Sequence, residues 1–197
     1  MSQAVLATSY AITGGIGSGK SYVCRLLEAR SYPVFYCDDE AKRILRTDQA
    51  VRGELQTLIG QSVYAEDGTL QKSVLAAYLC RGTECAERVN AIVHPRVAAA
   101  FRAWASQQVA RHRRIFMECA LLFESGFDQL VDKSVLVYAP EDVRLRRVME
   151  RDHITAETAR RWMALQMPEE EKRRRADLEI RNDGISPLES QIDTLLP

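Results

Sequence analysis

The chain has 197 residues, which is enough for one α/β core with an insertion but not for two large independent domains. Lysine and arginine together number 27, as do aspartate and glutamate, so no overall positive field favours nucleic acid or a membrane surface. No segment approaches the roughly 18 consecutive apolar residues of a membrane-spanning helix, and the first residues lack the pattern of a secretory signal. We therefore expect a cytoplasmic protein with no nucleic-acid or membrane partner, in which any anionic ligand binds at a local site.

A glycine-rich motif near the beginning of the chain indicates a phosphate-binding site. Residues 14–21 read Gly-Gly-Ile-Gly-Ser-Gly-Lys-Ser, which fits the pattern G-x-x-x-x-G-K-[ST]. A strand is predicted upstream at residues 5–12, and apolar residues at Val23, Leu26 and Leu27 predict a helix downstream. In this order the N–H groups of the loop and the positive end of the helix dipole can surround phosphate oxygens. A glycine-rich turn with an exposed lysine is the alternative.

Two side chains of the motif have specific expected tasks. Lys20 would reach the outer phosphates of a nucleotide, and the Ser21 hydroxyl would ligate Mg²⁺. Carboxylates at and after the third predicted strand, residues 115–119, are candidates to hold the same ion through water, namely Glu118 and Glu124. Either of them could instead be a simple surface residue.

Acidic residues also follow the second predicted strand, at residues 34–37. Asp38, Asp39 and Glu40 stand at its carboxyl end, which is where open α/β sheets place ligands and catalytic groups. Asp38 could therefore point into a cleft. The alternative is that Asp38 or Asp39 caps the helix that follows, and the two interpretations can hold together.

A helical block interrupts the alternation of strands and helices between about residues 49 and 95. Its apolar residues recur at helical spacing and predict three helices, with Gly60 at the end of the first. We interpret the block as an insertion over the cleft that is closed by His94 and Pro95, after which a new helix starts near Val97. His94 is either a packing residue at a helix end or a ligand-binding residue.

Clustered arginines follow a fourth predicted strand at residues 135–138. Arg147 and Arg151 lie one helical turn apart and could belong to a mobile lid that clamps phosphates. They could equally lie on an exposed helix rich in ion pairs. For the arginines at residues 173–175 the exposed interpretation is favoured, because glutamates are interleaved with them.

An asparagine follows the fifth predicted strand at residues 178–180. The side-chain amide of Asn182 could pair with an adenine edge through its donor and acceptor together. The alternative is that Asn182 supports a left-handed turn beside Gly184.

Taken in this order, the residues resemble the dephospho-CoA kinase family. The resemblance runs from about residue 11 to residue 184, and the matching segments are Thr13 with the phosphate motif, Asp38, residues 67–70, His94 with Pro95, residues 121–124, Arg147 with Arg151, Gln166, residues 176–177 and residues 180–182. Three positions depart from the family pattern. Tyr36 replaces an aspartate, Ala120 replaces a proline, and Lys72 stands where arginine is common.

The resemblance implies an α/β fold of the three-layer P-loop kinase type, with a five-stranded parallel sheet in the order 2-3-1-4-5. The implied reaction transfers the γ-phosphoryl group of ATP, with Mg²⁺, to the ribose 3′-hydroxyl of dephospho-CoA, which is the last step of CoA biosynthesis. Residues 1–197 would form one kinase domain, with a helical substrate-binding subdomain at 49–95 and a lid region at 143–176. A monomer is favoured.

For the site, the resemblance implies that Asp38 is the base and that Lys20 and Arg147 assist catalysis. The expected ATP-binding residues are Gly15, Ile16, Gly17, Ser18, Gly19, Lys20, Ser21 and Asn182. The expected dephospho-CoA-binding residues are Thr13, Asp38, His94, Leu121 and Arg151. Mg²⁺ is expected at Ser21, with Glu124 acting indirectly.

Two other functions are compatible with the phosphate motif. A kinase for another small hydroxyl or nucleotide acceptor, such as shikimate or a nucleoside monophosphate, would have a similar loop and lid. A nucleotide-binding module without catalysis is the other alternative. An Asn-Lys-x-Asp guanine-reading motif is absent after the fourth predicted strand, which counts against a GTPase switch.

Overall fold

A computed structural model describes residues 7–195 of the chain. Val5 and Leu6 of the first predicted strand, and Leu196 of the last predicted helix, lie outside the described residues. The strands are β1 Thr8–Thr13, β2 Val34–Tyr36, β3 Arg114–Glu118, β4 Lys133–Tyr138 and β5 Leu178–Arg181. The helices are α1 Lys20–Ala29, α2 Cys37–Thr47, α3 Gln49–Ile59, α4 Lys72–Leu79, α5 Thr83–Gln108, α6 Glu141–Asp152, α7 Ala156–Ala164, α8 Glu169–Arg175 and α9 Leu188–Leu195.

Across residues 7–195, the five strands form one parallel sheet in the order β2-β3-β1-β4-β5. The predicted strand order is therefore confirmed. Ile12 of the central strand pairs with Glu118 of β3 on one side and with Val135 of β4 on the other. Because parallel strands share one carboxyl edge, the phosphate motif that follows β1 lies at the same edge as the ends of β3 and β4.

The packing of α1 against the sheet fixes where the phosphate motif ends. Val23, Cys24 and Leu27 are fully buried and pack in one core cluster with Ile12 and Phe116 of the sheet. Burial of an apolar side chain of this size contributes about 1.5–3 kcal/mol. The buried face that predicted α1 from the sequence therefore holds this helix against the sheet, with its amino terminus after the end of β1.

The chain divides into two compact units. One comprises the chain up to Tyr36 together with the part from Trp104 onward, and it contains the sheet. The other is Cys37–Ala103, and the predicted helical insertion at residues 49–95 falls inside it. None of the helices in residues 7–195 combines the length and the hydropathy that a membrane-spanning segment needs.

The helical unit is held by local capping and by side-chain contacts between its helices. Asp48 caps α3 by accepting hydrogen bonds from the N–H groups of the next turn, and Gly60 ends this helix as predicted. The Tyr64 hydroxyl donates to the Leu45 carbonyl at 2.7 Å.

The predicted helix break at Pro95 is wrong. Helix α5 runs without interruption from Thr83 to Gln108 with Pro95 inside it. A proline inside a helix removes one backbone hydrogen bond and costs about 3 kcal/mol. Apolar residues on both sides of Pro95, among them Val93 and Val97, are buried, and their burial offsets this cost. The guanidinium of Arg96 also donates to a carbonyl of the preceding turn, at 2.8 Å.

Candidate active site

The phosphate motif forms a tight loop between β1 and α1. Strand β1 ends at the fully buried Thr13, and α1 begins at Lys20. Inside the loop, the Ser18 N–H donates to the Gly15 carbonyl at 3.0 Å. Gly17 has a φ of 82°, and a Cβ at this position would lie 2.6 Å from the Arg144 carbonyl oxygen. The loop conformation therefore requires glycine at this position for both its backbone angle and its close packing.

The loop presents groups that suit the phosphates of a nucleotide. The first-turn N–H groups of α1, which include those of Lys20 and Ser21, have no intrahelical partner by their position and lie at the positive end of the helix dipole. The Thr13 and Ser18 hydroxyl oxygens are buried without a hydrogen-bond partner within the described structure. Buried polar atoms are normally paired, so unpaired ones that border one loop fit a site built for a polar ligand.

The residues around the loop also fit a magnesium ion. Ser21 is exposed at the beginning of α1, and Glu118 is buried at the end of β3. Residues 7–195 contain no group of three His, Cys, Asp or Glu side chains that could hold a metal alone. Mg²⁺ typically takes one or two protein oxygens and completes its shell with water and substrate phosphates, so this donor set suits it.

Arg147 and Asn182 both bind the backbone of the phosphate loop. The Asn182 side-chain N–H donates to the Ser18 carbonyl at 2.7 Å, and a Cβ at Gly19 would collide with this amide. The Arg147 guanidinium donates to the carbonyls of Gly17 and Ser18, each at 3.4 Å, and to the Asn182 carbonyl at 3.1 Å. The two predicted site residues therefore both contact the phosphate loop, and the expected roles of Asn182 at the adenine and of Arg147 at the transferred group stay predictions.

Sequence reasoning gave no task to two residues that contact the other end of the loop. Gln166 accepts a hydrogen bond from the Ile16 N–H at 2.8 Å. The Glu169 carboxylate lies against Gly15, where a Cβ would come within 2.7 Å of one of its oxygens. Gln166 belongs to the family resemblance alone, and no local pattern distinguishes Glu169 from the two glutamates that follow it. Their role becomes visible only once the fold brings α8 to the loop.

Arg144 and Lys172 are buried cations beside Glu169. The Arg144 guanidinium lies 3.5 Å from the Glu169 carboxylate and also donates to the Ala139 carbonyl at 3.2 Å. Lys172 is fully buried, and burial lowers the pKa of its ammonium group. Burial likewise raises the pKa of the Glu169 carboxyl, against the opposing effect of Arg144 and Lys172. A buried charge cluster thus lies next to the phosphate loop.

Glu124 faces the residues before and within α8. Its carboxylate accepts the Met167 N–H at 2.8 Å and lies 3.6 Å from the Lys172 ammonium. These contacts engage the carboxylate with the predicted lid region. The magnesium role of Glu124 stays a prediction.

Glu118 lies close to Cys24 and Tyr36. Burial, followed by the charge of Glu118, raises the pKa of the Cys24 thiol, so this cysteine is a neutral core residue. Burial, together with neighbouring acidic groups that include Glu28 and Glu118, raises the pKa of Tyr36. The phenol that replaces the family aspartate therefore adds no negative charge beside Glu118.

Three other predicted site residues lie around the same sheet edge or on the lid region. Thr13 ends β1, and Leu121 is 39% exposed in the loop that follows β3. Arg151 lies in the last turn of α6, where it pairs with its neighbour Asp152 at 2.7 Å. The arginines at residues 173–175 each contact a carboxylate, respectively of Glu179, Glu171 and Asp128.

Asp38 and His94 belong to the helical unit. Asp38 lies inside the first turn of α2, directly after β2 in the chain, so it is not the residue before the helix. Its neighbour Asp39 pairs with Lys42 at 2.9 Å. His94 lies within α5, and burial lowers the pKa of its imidazole. A neutral imidazole is therefore favoured there near pH 7.

Comparison with known proteins gives one consistent result. Residues 9–187 match the family model described as dephospho-CoA kinase. A dephospho-CoA kinase of Bacteroides fragilis strain YCH46 is 44% identical over 191 residues, which cover 97% of this chain and 92% of the relative. The corresponding enzyme of Salinibacter ruber is 41% identical over 90% of this chain and 89% of its own.

A solved structure with the same fold is also similar in sequence. The crystal structure of TT1252 from Thermus thermophilus has a TM-score of 0.81 and 33% sequence identity. The match covers 98% of this chain and 99% of the other. The phosphate loop and the strand order described above thus occur in a chain whose resemblance to known proteins extends over nearly all of its length.

Proposed function

The chain belongs to the dephospho-CoA kinase family, and we propose that its phosphate loop is the donor site for transfer of the ATP γ-phosphoryl group to the ribose 3′-hydroxyl of dephospho-CoA. The observation that carries this assignment is the loop at the carboxyl end of β1, with Lys20 at the first residue of α1 and unpaired hydroxyls on Thr13 and Ser18. Residues Gly15 to Ser21 bind the phosphates of ATP, with the backbone N–H groups of Lys20 and Ser21 directed at them from the beginning of α1.

The protein accelerates this reaction mainly by positioning the reacting groups and by placing positive charge around the phosphates. Phosphoryl transfer passes through a loose transition state with charge spread over the phosphoryl oxygens, so the protein mainly orients groups and stabilises charge. Lys20 contacts the outer phosphates. Arg147 fixes the loop through carbonyl contacts that all use one guanidinium nitrogen, and its other nitrogens contact a phosphate of ATP. Asn182 supports ATP binding from the other side of the loop.

The Ser21 hydroxyl would hold Mg²⁺, with Glu118 or Glu124 acting through water. When bound, the ion supplies positive charge that offsets the charge of the outer phosphates. The position of Ser21 at the beginning of α1 and of Glu118 at the end of β3 supports this assignment.

The acceptor side of the reaction is assigned to both units. Asp38 acts as the base that orients and deprotonates the ribose hydroxyl, which needs an ionised carboxylate. Dephospho-CoA is bound with the help of Thr13, His94, Leu121 and Arg151. Residues 49–95 form the acceptor-binding subdomain, and residues 143–176 form the lid. We further propose that the protein works as a monomer in the cytoplasm.

A coupled assay of ADP release tests the assignment. The purified protein is given Mg-ATP with dephospho-CoA, shikimate or a nucleoside monophosphate in parallel, and CoA is identified by mass. We expect turnover with dephospho-CoA and background rates with the other acceptors. No turnover of dephospho-CoA above background would contradict the proposal, and turnover of another acceptor would replace it.

A further inference from the structure

Glu169 lies at the phosphate loop in the place of an anionic ligand. We propose that Glu169 is a displaceable internal anion that holds Arg144 and Lys172 beside the loop, and that both cations pass to the nucleotide phosphates when these displace it. The inference rests on the proposed function only in taking the phosphate loop as the nucleotide site. It adds two phosphate-contacting cations to Lys20 and Arg147.

The contacts of the Glu169 carboxylate are those that a phosphate group normally receives. One oxygen lies 3.5 Å from the Arg144 guanidinium, and the same oxygen packs against the backbone of the loop at Gly15. The positive charges of Lys172 and Lys20 also act on this carboxylate. Backbone N–H groups, a guanidinium and ammonium groups are the usual ligands of phosphate at such loops.

The contact with the loop is direct. A Cβ at Gly15 would lie 2.7 Å from the Glu169 carboxylate oxygen and would collide with the Arg144 guanidinium. Both side chains therefore rest on the backbone of the loop at a position where only glycine leaves room. An anion entering the loop at Gly15 would therefore meet both Glu169 and Arg144.

The carboxylate is poorly compensated in this position. Its Oε1 atom is buried without a hydrogen-bond partner within the described structure. Burial raises the pKa of the Glu169 carboxyl in spite of its cationic neighbours. The attraction of these neighbours therefore does not fully offset the cost of removing the carboxylate from water. A dianionic phosphate with more oxygens can satisfy the same cations better than this carboxylate does.

Arg144 and Lys172 are held in place by other groups besides Glu169. Arg144 donates to the Ala139 carbonyl, and Lys172 pairs with Glu124. The Lys172 ammonium group is buried and makes no hydrogen bond within the described residues. These contacts keep the cations near the loop when Glu169 leaves, and the Lys172 ammonium group still has hydrogen-bond donors to offer a phosphate.

The displaced side chain also has space. A cavity of about 560 Å³ opens beside Glu169, and it is lined by residues of α6 and α7 and by the segment that joins α7 to α8. Arg160, which is exposed, and Arg144 are among the lining residues. A rotation of Glu169 into this cavity would replace its buried contact with Arg144 by a solvated position near Arg160.

The Glu169→Gln variant tests the proposal, with Glu170→Gln as a matched control. Both substitutions remove one negative charge from the first turn of α8, but Glu170 is exposed and pairs with Arg173 at the surface. The dissociation constants for Mg-ATP and for Mg-pyrophosphate are measured by calorimetry. We expect Glu169→Gln to bind both ligands about tenfold more tightly, since a charge-assisted contact no longer competes. We expect Glu170→Gln to bind within about twofold of the parent protein.

A second pair of variants tests whether Lys172 binds the phosphate, and a check of folding excludes misfolding as the cause of any change. Glu169→Leu, checked by circular dichroism and thermal melting, should show the same gain as Glu169→Gln. Glu169→Leu with Lys172→Met restores the net charge of the parent protein, and it should bind pyrophosphate about tenfold more weakly than Glu169→Leu alone.

Three results would overturn the proposal. One is unchanged or weaker pyrophosphate binding by the folded Glu169 variants, which would make Glu169 a support for the loop. Another is an equal gain in Glu170→Gln, which would make the effect one of net charge. A third is unchanged binding on addition of Lys172→Met. Pyrophosphate binding needs no acceptor, so failure of dephospho-CoA turnover would leave this test intact.

Discussion

The side-chain amide of Asn182 donates a hydrogen bond to the carbonyl of Ser18 at 2.7 Å, joining residues 164 positions apart in the chain. Asn182 follows β5, and its own N–H donates to the Tyr138 carbonyl at the end of β4. The loop after β5 is thereby tied both to the sheet and to the phosphate loop. The bond to Ser18 uses one of the two N–H donors of the amide, so Asn182 supports the phosphate loop independently of the base that is bound.

Asn182→Ala is expected to weaken ATP and GTP binding by the same factor. The substitution removes the support of the Ser18 carbonyl, so the loop loses part of its preorganised shape, at a cost of about tenfold in affinity. Competition binding against a fluorescent nucleotide measures both ligands. A loss confined to ATP would instead show that Asn182 reads the adenine.

Asp38→Asn is expected to lower kcat by roughly 10²-fold or more, because an amide cannot take up the proton of the attacking hydroxyl. The affinity for ATP should stay unchanged, since the donor site is built on the phosphate loop. Asp39→Asn is the matched control, because Asp39 is the next residue in the same helical turn and pairs with Lys42. The base assignment fails if Asp38→Asn keeps its kcat or if both variants lose activity equally.

Pro95→Ala is expected to raise the free energy of unfolding by about 1–3 kcal/mol. The alanine would supply the N–H that α5 lacks at this point, and it could then bond to the Ala91 carbonyl one turn earlier. Urea unfolding followed by circular dichroism measures the change. A lower free energy of unfolding would mean that the proline ring itself packs in a way that outweighs the missing hydrogen bond.

His94→Gln is expected to make stability less sensitive to pH between about 7 and 5. Burial lowers the pKa of His94 from its ordinary value of 6.5 in the folded protein. As the pH falls through 6.5, the unfolded chain therefore takes up a proton before the folded protein does, and stability is lost. Above this pH the contribution is fully present.

The measurement for His94 is the difference in unfolding free energy between the parent protein and His94→Gln, recorded by urea unfolding across this pH range. As the pH falls, the parent protein should lose more unfolding free energy than His94→Gln does. A constant difference would mean that His94 does not titrate differently in the two states.

Local patterns were sufficient to predict most of the elements. The phosphate motif, the β-branched residues of β4 and the apolar spacing of α1 and α3 depend on short-range preferences of the backbone and on burial of one face. Gly60 ends α3 with a φ of 123°, and a glycine directly after a helical stripe of apolar residues predicts such a helix end. The strand order was implied by the resemblance and was confirmed, whereas residue spacing alone did not predict it.

Pro95 shows where a local rule fails. Proline normally ends a helix, and the local rule for proline overrides the helical spacing of Val93, Val97 and Phe101, which continues through this position. Packing on both sides of Pro95 decides the outcome, since Val93 and Val97 are both buried. The free energy of burying these side chains depends on neighbours that lie elsewhere in the chain.

The sequence by itself determined that this protein binds a nucleotide phosphate and, through its family, which reaction it performs. It could not distinguish Glu169 from Glu170, because the two are identical in type and adjacent on one short helix. Only the tertiary structure places Glu169 against Gly15 and leaves Glu170 in solvent. The physical reason is that the interaction energy of a charged side chain depends on how deeply it is buried and on which charges lie nearby. The burial of α8 beside a loop about 150 residues earlier in the chain depends on the packing of the whole unit.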